Sequence, residues 1–176
     1  MVKVQIVNVV ATASLNQAID FELLRKFGEI FHDSDVYGGR VAYFKTKQMQ
    51  GKVSIFLSGK MISVGTKSED QAQKELLLAK QFLFQKGLIK DVELQPKTRN
   101  MVITADFEQP ISLEELSDKT RAIYEPEQFP GAILRIQQPF KTSILVFASG
   151  KIVITGLTSS QQIEPVIQQI GKLLAG

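Results

Sequence analysis

At 176 residues, with 44% hydrophobic and 22% charged side chains, the chain is long enough to bury a core and has the balance of a globular protein. The absence of cysteine excludes a disulfide framework and thiolate metal sites, and no apolar run approaches the ~20 residues needed to cross a bilayer. Net charge is only +3, but it is uneven: residues 1–88 carry 12 Lys and Arg against 8 Asp and Glu, and residues 89–176 carry 9 against 10, so the first half leans towards a polyanion and the second has acidic groups to spare for a protein partner.

The opening stretch MVKVQIVNVVATAS alternates and holds Asn8, so it reads as a strand over Val2–Ala13 and not as a signal peptide. A short amphipathic helix follows over Asp20–Phe31, with Asp20 as its N-cap. His32, the single histidine, sits beside Asp33 and Asp35 and reads as a surface residue rather than a catalytic base. Short strands come next at Arg40–Lys45, Val53–Leu57 and Met61–Gly65, with a long turn at Lys45–Lys52. Ala72, Leu76, Ala79 and Leu83 then mark one stripe of a longer helix.

From about residue 89 the same series runs again. A strand spans Val92–Phe107, and a helix spans Ser112–Ile123 with Ser112 and Glu115 at capping-box spacing. Strands at Ala132–Gln137, Ser143–Phe147 and Ile152–Gly156 lead to a last helix. Its stripe is Ile163, Val166, Ile167, Ile170 and Leu174, and Pro165 starts it nearer Glu164 than Ser159. The repetition is visible residue by residue. Asn8 and Val10 meet Asn100 and Val102 at an offset of 92 residues, whereas IFLSGKMISVG and VFASGKIVITG match at an offset of 91. One single-residue length difference between Tyr43/Arg135 and the later phenylalanines accounts for the change. Repeats over 1–88 and 89–176 follow, each an antiparallel sheet with helices on one face: an α+β fold.

Period-2 alternation gives the other face its content. Phe56, Ser58, Lys60, Ile62 and Val64 share it in the first copy; Phe147, Ser149, Lys151, Val153 and Thr155 share it in the second. Asn8 with Val10 and Asn100 with Val102 lie on the same face. A buried sheet face explains Phe, Val and Ile well. Paired Asn residues fit that reading less easily, because a buried amide needs partners. A dry, weakly charged face with two amides suits the minor groove, where A·T and T·A edges both present only acceptors.

YEPEQFPG (Tyr124–Gly131), VFASGKIVITG (Val146–Gly156) and the paired N-x-V segments resemble the TATA-binding protein family, and the resemblance covers essentially the whole chain. It is of archaeal type, with a divergent first repeat. The resemblance implies a saddle in which two pseudo-symmetric repeats form one curved antiparallel sheet with helices on the convex face. It also implies a general transcription initiation factor that binds and kinks TATA-box promoter DNA. Such a protein is a cytoplasmic, nucleoid-associated one in an archaeon, or nuclear in a eukaryote, and acts without cofactor or metal.

The family pattern assigns roles by position. The wedges that part base steps fall on Phe129 and Phe147 in the second repeat, and on Phe56 and Tyr37 in the first, where VYGGR replaces the family's Phe-Pro-Gly. The amides that read the groove fall on Asn8 and Asn100, flanked by Val10 and Val102. The threonine of GKxVxTG is Thr155 in the second copy and Val64 in the first. Arg135, Lys141, Lys151, Lys60 and Lys67 are the phosphate contacts, and Ser58 and Ser149 are also DNA-binding positions; Tyr43 stands opposite Arg135, with Lys45 two residues on as a substitute. Glu125, Glu127 and Gln128 form the loop that meets a transcription factor B-type initiation factor, and through it RNA polymerase; Asp33 and Asp35 lie at the matching offset. The family is itself the type example of apolar wedges that unstack and bend the duplex. Self-association without DNA stays open.

Two other readings compete. One is a divergent paralogue that acts mainly through protein partners, favoured by Tyr37, Gly38, Tyr43 and Val64. The other is a helix-on-sheet scaffold with an apolar ligand on its open face. Catalysis has no support: no phosphate-binding loop, dinucleotide fingerprint, zinc-protease or nucleophile-elbow pattern occurs, and Asp33-Ser34-Asp35 lacks the ligands of a metal loop.

Overall fold

A computed structural model describes all 176 residues as ten strands, four α-helices and two 3-10 turns. They form two compact units, residues 8–99 and residues 1–7 with 100–176. In the first, β1 (Lys3–Ser14, here from Asn8 onward) is followed by α1 (Phe21–Leu24), β2 (Ile30–His32), β3 (Val41–Phe44), β4 (Lys52–Phe56), β5 (Lys60–Thr66) and α2 (Glu69–Gln85). Its strands are antiparallel in the order β2-β3-β4-β5-β1. In the second unit, β6 (Lys97–Asp106, here from Asn100 onward) leads to α3 (Leu113–Lys119), β7 (Ile123–Tyr124), β8 (Gly131–Ile136), β9 (Thr142–Phe147), β10 (Lys151–Leu157) and α4 (Ile163–Ala175). The order β6-β10-β9-β8-β7 repeats the first pattern, again antiparallel.

Each unit is covered on one face only. Along β5 the odd-numbered Met61 and Ser63 are buried while Ile62 and Val64 are half-exposed; β10 does the same with Ile152 and Ile154 against Val153 and Thr155. Ala72, Leu76, Ala79 and Leu83 of α2 are all fully buried, each large one contributing about 2 kcal/mol by area removed from water. Val166, Ile167 and Ile170 do the same for α4, and Leu174 stays half-exposed. A 3-10 turn at Ser160–Gln162 precedes α4, so Pro165 falls in the helix's first turn, where a missing N–H costs nothing.

Three elements are shorter than the sequence pattern implies. The expected helix Asp20–Phe31 is the single turn Phe21–Leu24, capped as anticipated by Asp20, whose Oδ1 accepts from the Glu22 N–H at 2.9 Å. The chain turns through Phe27–Gly28, and Ile30–His32 pairs as a strand with Ala42–Phe44. The expected helix Ser112–Ile123 stops at Lys119; Thr120 is extended and Ile123–Tyr124 pairs with β8. Ser112 does cap it, accepting from the Glu115 N–H at 3.3 Å. The expected strand Val92–Phe107 begins only at Lys97. Pro96 cannot donate to a ladder, and the segment before it is held by side chains instead. Gln17 pairs with both the N–H and the carbonyl of Lys90 at 2.8 and 2.9 Å. Lys80 meets Asp91 at 2.5 Å, and this hydrogen bond holds the Asp91 carboxyl below its ordinary range.

The strand pairing also revises the alignment of the copies. Phe56 and Phe147 are equivalent, and Tyr43 lies opposite Ser54 as Ile133 lies opposite Leu145. Tyr43 therefore corresponds to Ile133. Two residues further on, Lys45 corresponds to Arg135. The lengths differ twice, not once: the connection 33–40 is eight residues against six at 125–130, and the stretch from Tyr43 to Phe56 is one residue shorter than that from Ile133 to Phe147.

Residues 45–51, the turn between β3 and β4, are tied down from the helix layer. Glu75 of α2 is fully buried. Its carboxylate accepts from the Gln50 N–H at 2.6 Å, the Gly51 N–H at 3.1 Å and the Gln71 side chain at 3.1 Å. Lys45 Nζ donates to the carbonyls of Gln50 and Gly51 at 3.3 and 2.9 Å. Donors and acceptors at the turn's end are thus both matched, as burial demands.

Candidate nucleic-acid interface

The open face of each unit ends in a three-residue hairpin tip, Leu57–Gly59 between β4 and β5 and Ala148–Gly150 between β9 and β10. Gly59 and Gly150 sit at φ 86° and 91°, and a Cβ there would lie 2.0 Å from the Gln17 carbonyl oxygen and 2.2 Å from that of Gln109. Only glycine fits both demands, which accounts for the shared Ser-Gly-Lys. Ser58 and Ser149 are exposed, each Oγ 3.5 Å from the N–H of Lys60 or Lys151. The turn keeps register, so Lys60 and Lys151 share the open face with Phe56 and Phe147.

The two asparagines are held alike. The Gly65 N–H donates to Asn8 Oδ1 at 2.8 Å, and the Gly156 N–H donates to Asn100 Oδ1 at 2.8 Å. Both glycines have positive φ, 95° and 103°, where the ladder is irregular beside β1 and β6. Each bulge thus fixes which end of the amide turns inward. The NH2 ends have no protein acceptor and remain as donors beside half-exposed Val10 and Val102. Thr155 Oγ1 donates to the Ser143 carbonyl at 3.4 Å; Val64, its counterpart, leaves a methyl there.

At the outer ends the units diverge. Phe129 and Phe147 meet edge to face with ring centres 5.9 Å apart, over Gly131, where a Cβ would lie 2.9 Å from the Phe129 ring. Tyr37 is 74% exposed and has φ 49°. It lies in the longer connection and has no ring contact with Phe56; counting back from β3, Gly39 holds the place equivalent to Phe129. Instead Tyr43 stacks on Phe31 at 6.3 Å, with Lys52 Nζ 4.4 Å above its ring. Nothing in the sequence pattern singled out this exposed cluster on the sheet edge.

The cationic positions differ in freedom. Arg135, Lys141, Lys151, Lys60 and Lys67 are exposed. Lys45, the true counterpart of Arg135, is spent on the turn carbonyls. Glu125, Glu127 and Gln128 are exposed on a turn closed by the Glu125 carbonyl, which accepts from the Gln128 and Phe129 N–H groups at 2.9 and 3.0 Å. Asp33 Oδ1 accepts from the Asp35 N–H at 2.9 Å, so it braces its own loop. His32 is half-buried, edge-on to Phe21, with Nε2 2.9 Å from the Gly39 carbonyl. It is a packing residue rather than the free surface side chain expected. No group of three His, Asp or Glu side chains is arranged to hold a metal.

These features define a duplicated α+β protein that presents amide donors, small apolar groups and flanking cations on open sheet faces. The family model described as transcription factor TFIID (or TATA-binding protein, TBP) matches twice, over residues 3–83 and 95–176. A TATA-box-binding protein of Cenarchaeum symbiosum is 39% identical over 160 residues, covering 90% of this chain and 87% of the relative. That of Methanococcus aeolicus is 33% identical, covering 96% and 92%. The solved Methanococcus jannaschii TBP superposes with a TM-score of 0.84 at 29% identity, covering 98% of both chains. The chain belongs to the TATA-binding protein family, with archaeal relatives, and has that family's fold. Membership carries the role of a DNA-binding transcription initiation factor and not that of an enzyme.

Proposed function

We propose that the open faces of repeats 1–88 and 89–176 bind TATA-box DNA through the minor groove. Phe129 and Phe147 part base steps at one end, Phe56 with Tyr37 at the other. The bent complex recruits a transcription factor B-type protein through Glu125, Glu127 and Gln128, and through it RNA polymerase, in an archaeal nucleoid. The observation that carries this reading is the paired amide geometry: both oxygens are consumed by a bulge N–H, leaving donors for a groove whose A·T edges offer only acceptors. Val10, Val102 and Thr155 supply the surrounding surface; Ser58, Ser149, Lys60, Lys151 and Arg135 supply phosphate contacts. TATA-binding protein being the type example of such bending, unstacking at flexible pyrimidine–purine steps is the established logic applied here.

Gel-shift titration of a TATA duplex and a G·C-rich one, with and without the B-type factor across a salt series, tests it. TATA-selective, salt-sensitive binding that the factor strengthens is the expected result; equal binding to both duplexes even with the factor would sink it. A second reading, a paralogue acting mainly through protein partners, is favoured by one feature: the exposed, unpaired Tyr37 in the longer connection. It predicts factor binding without duplex preference.

A further inference from the structure

Each unit carries a groove on its open face, and most of the lining positions correspond between the two. In residues 8–99 the lining includes Thr12, Ser14, Phe56, Lys60, Lys97 and Arg99; in the other unit it includes Thr104, Asp106, Phe147, Lys151, Lys3 and Gln5. At the shared offset of 92, Lys97 corresponds to Gln5, Arg99 to Val7 and Ser14 to Asp106. The first groove therefore has three cations, Lys60, Lys97 and Arg99, against the single acid Glu93. The second has Lys151 and Lys3 against Asp106, and Lys3 is already paired with Glu108 at 2.6 Å.

Arg99 is exposed and is not left to wander. Its Nε–H donates to Thr12 Oγ1 at 2.8 Å. A guanidinium has five N–H groups, so this bond fixes the plane and leaves the terminal nitrogens, which have no protein acceptor, for a ligand. A planar fork of that kind suits an anionic oxygen pair. Thr12 is thus a positioning residue for Arg99.

We propose that Arg99, oriented by Thr12, grips a backbone phosphate of bound DNA on the half of the site served by residues 8–99. This rests on the reading that the open faces bind DNA. It makes the half with the divergent wedge and the missing threonine the more cationic half. Sequence-blind attraction there offsets lost base contacts, because each phosphate neutralised adds affinity whatever the base pair.

The test is fluorescence-anisotropy titration of a TATA duplex and a G·C-rich duplex with wild type, Arg99→Gln, Thr12→Val and, for comparison, Lys151→Gln, each between 50 and 200 mM salt. Thermal melting confirms that these exposed substitutions leave the fold intact. Arg99→Gln is expected to weaken binding to both duplexes by the same factor. It should also flatten the log–log salt slope by about 0.9, the signature of one lost phosphate; its deficit against wild type then shrinks about threefold across the series. Thr12→Val should give a smaller loss of the same kind. An unchanged slope and affinity in Arg99→Gln, with wild type still binding, would overturn this assignment alone. A changed TATA preference at constant slope would overturn it in favour of base contact. Wild type that shows no salt-dependent binding at all would remove both this assignment and the DNA reading beneath it.

Discussion

Beneath α2 the unit 8–99 buries Ser63, Thr66 and Glu75; at the equivalent positions the other unit buries Ile154, Leu157 and Val166. At these three positions the first half makes hydrogen bonds through Thr66 and Glu75, where the other half has only aliphatic packing. Hydrogen bonds add little net stability when made but cost heavily when a buried partner is removed, whereas aliphatic contacts degrade gradually. The same half that holds these polar groups also carries the divergent open face: Val64 for threonine, Tyr37 in a lengthened connection, Lys45 held on the turn carbonyls. Duplication fixed a backbone, and the two copies have since met its demands with different chemistry.

The comparison breaks most visibly at Glu75. Glu75→Leu strands the Gln50 and Gly51 N–H groups and should cost about 3 kcal/mol in urea denaturation; a loss below about 1 kcal/mol would mean the turn satisfies itself with water. Next come the amides. Asn8→Ala and Asn100→Ala should each weaken TATA binding by about 2 kcal/mol, and a markedly smaller effect at Asn8 would show that the divergent half reads bases less. Ser63 Oγ is buried without a partner, so Ser63→Ala is expected to raise stability by about 1 kcal/mol; a loss instead would point to an unseen partner for the hydroxyl. Val64→Thr restores the second copy's hydroxyl and should tighten TATA binding by roughly 0.5–1 kcal/mol, checked against Thr155→Val, which should loosen it by a similar amount.

The smallest effect concerns the segment ahead of β6. Asp91 has a folded-state pKa below its unfolded one because Lys80 hydrogen-bonds its carboxylate. Its contribution is therefore present above the ordinary aspartate range and fades as pH falls through the lowered value. Asp91 is exposed, so Asp91→Asn should lower Tm only slightly at neutral pH and not at all once the pH lies below the lowered value. A difference that persists in acid would contradict this origin.

Much of this was legible beforehand. Alternation along β9 and β10 places Phe147, Lys151, Val153 and Thr155 on one face because a period of two survives a tight hairpin. Helix caps at Asp20 and Ser112 were legible because a cap is local. The helix Asp20–Phe31 was over-extended because Phe21, Leu24, Phe27 and Ile30 recur at helical spacing, while the pairing that makes Ile30–His32 a strand lies across the sheet at Ala42–Phe44. The sequence pairs Arg135 with Tyr43 for a similar reason: two length differences of opposite sign nearly cancel, and only strand register separates them. Nothing local in the sequence marks Arg99, because Thr12, the residue that orients it, lies 87 positions away.

The hairpin tips have a mechanical meaning. Beyond the close approach that requires glycine, the Leu15 N–H donates to the Gly59 carbonyl and the Ile19 N–H to that of Leu57; Phe107 and Ile111 repeat this with Gly150 and Ala148, all at 2.9–3.0 Å. Each tip is thus cross-braced on two sides to the segment entering α1 or α3. A bent duplex recoils elastically, and the recoil would press on whatever sits at the ends of Phe56 and Phe147. A hairpin tied only through its own strands would yield as a spring. These are tied like gusseted brackets, so on the proposed reading the load would pass into the segments ahead of α1 and α3, and the angle imposed on the DNA would become a property of the protein rather than a compromise between the two.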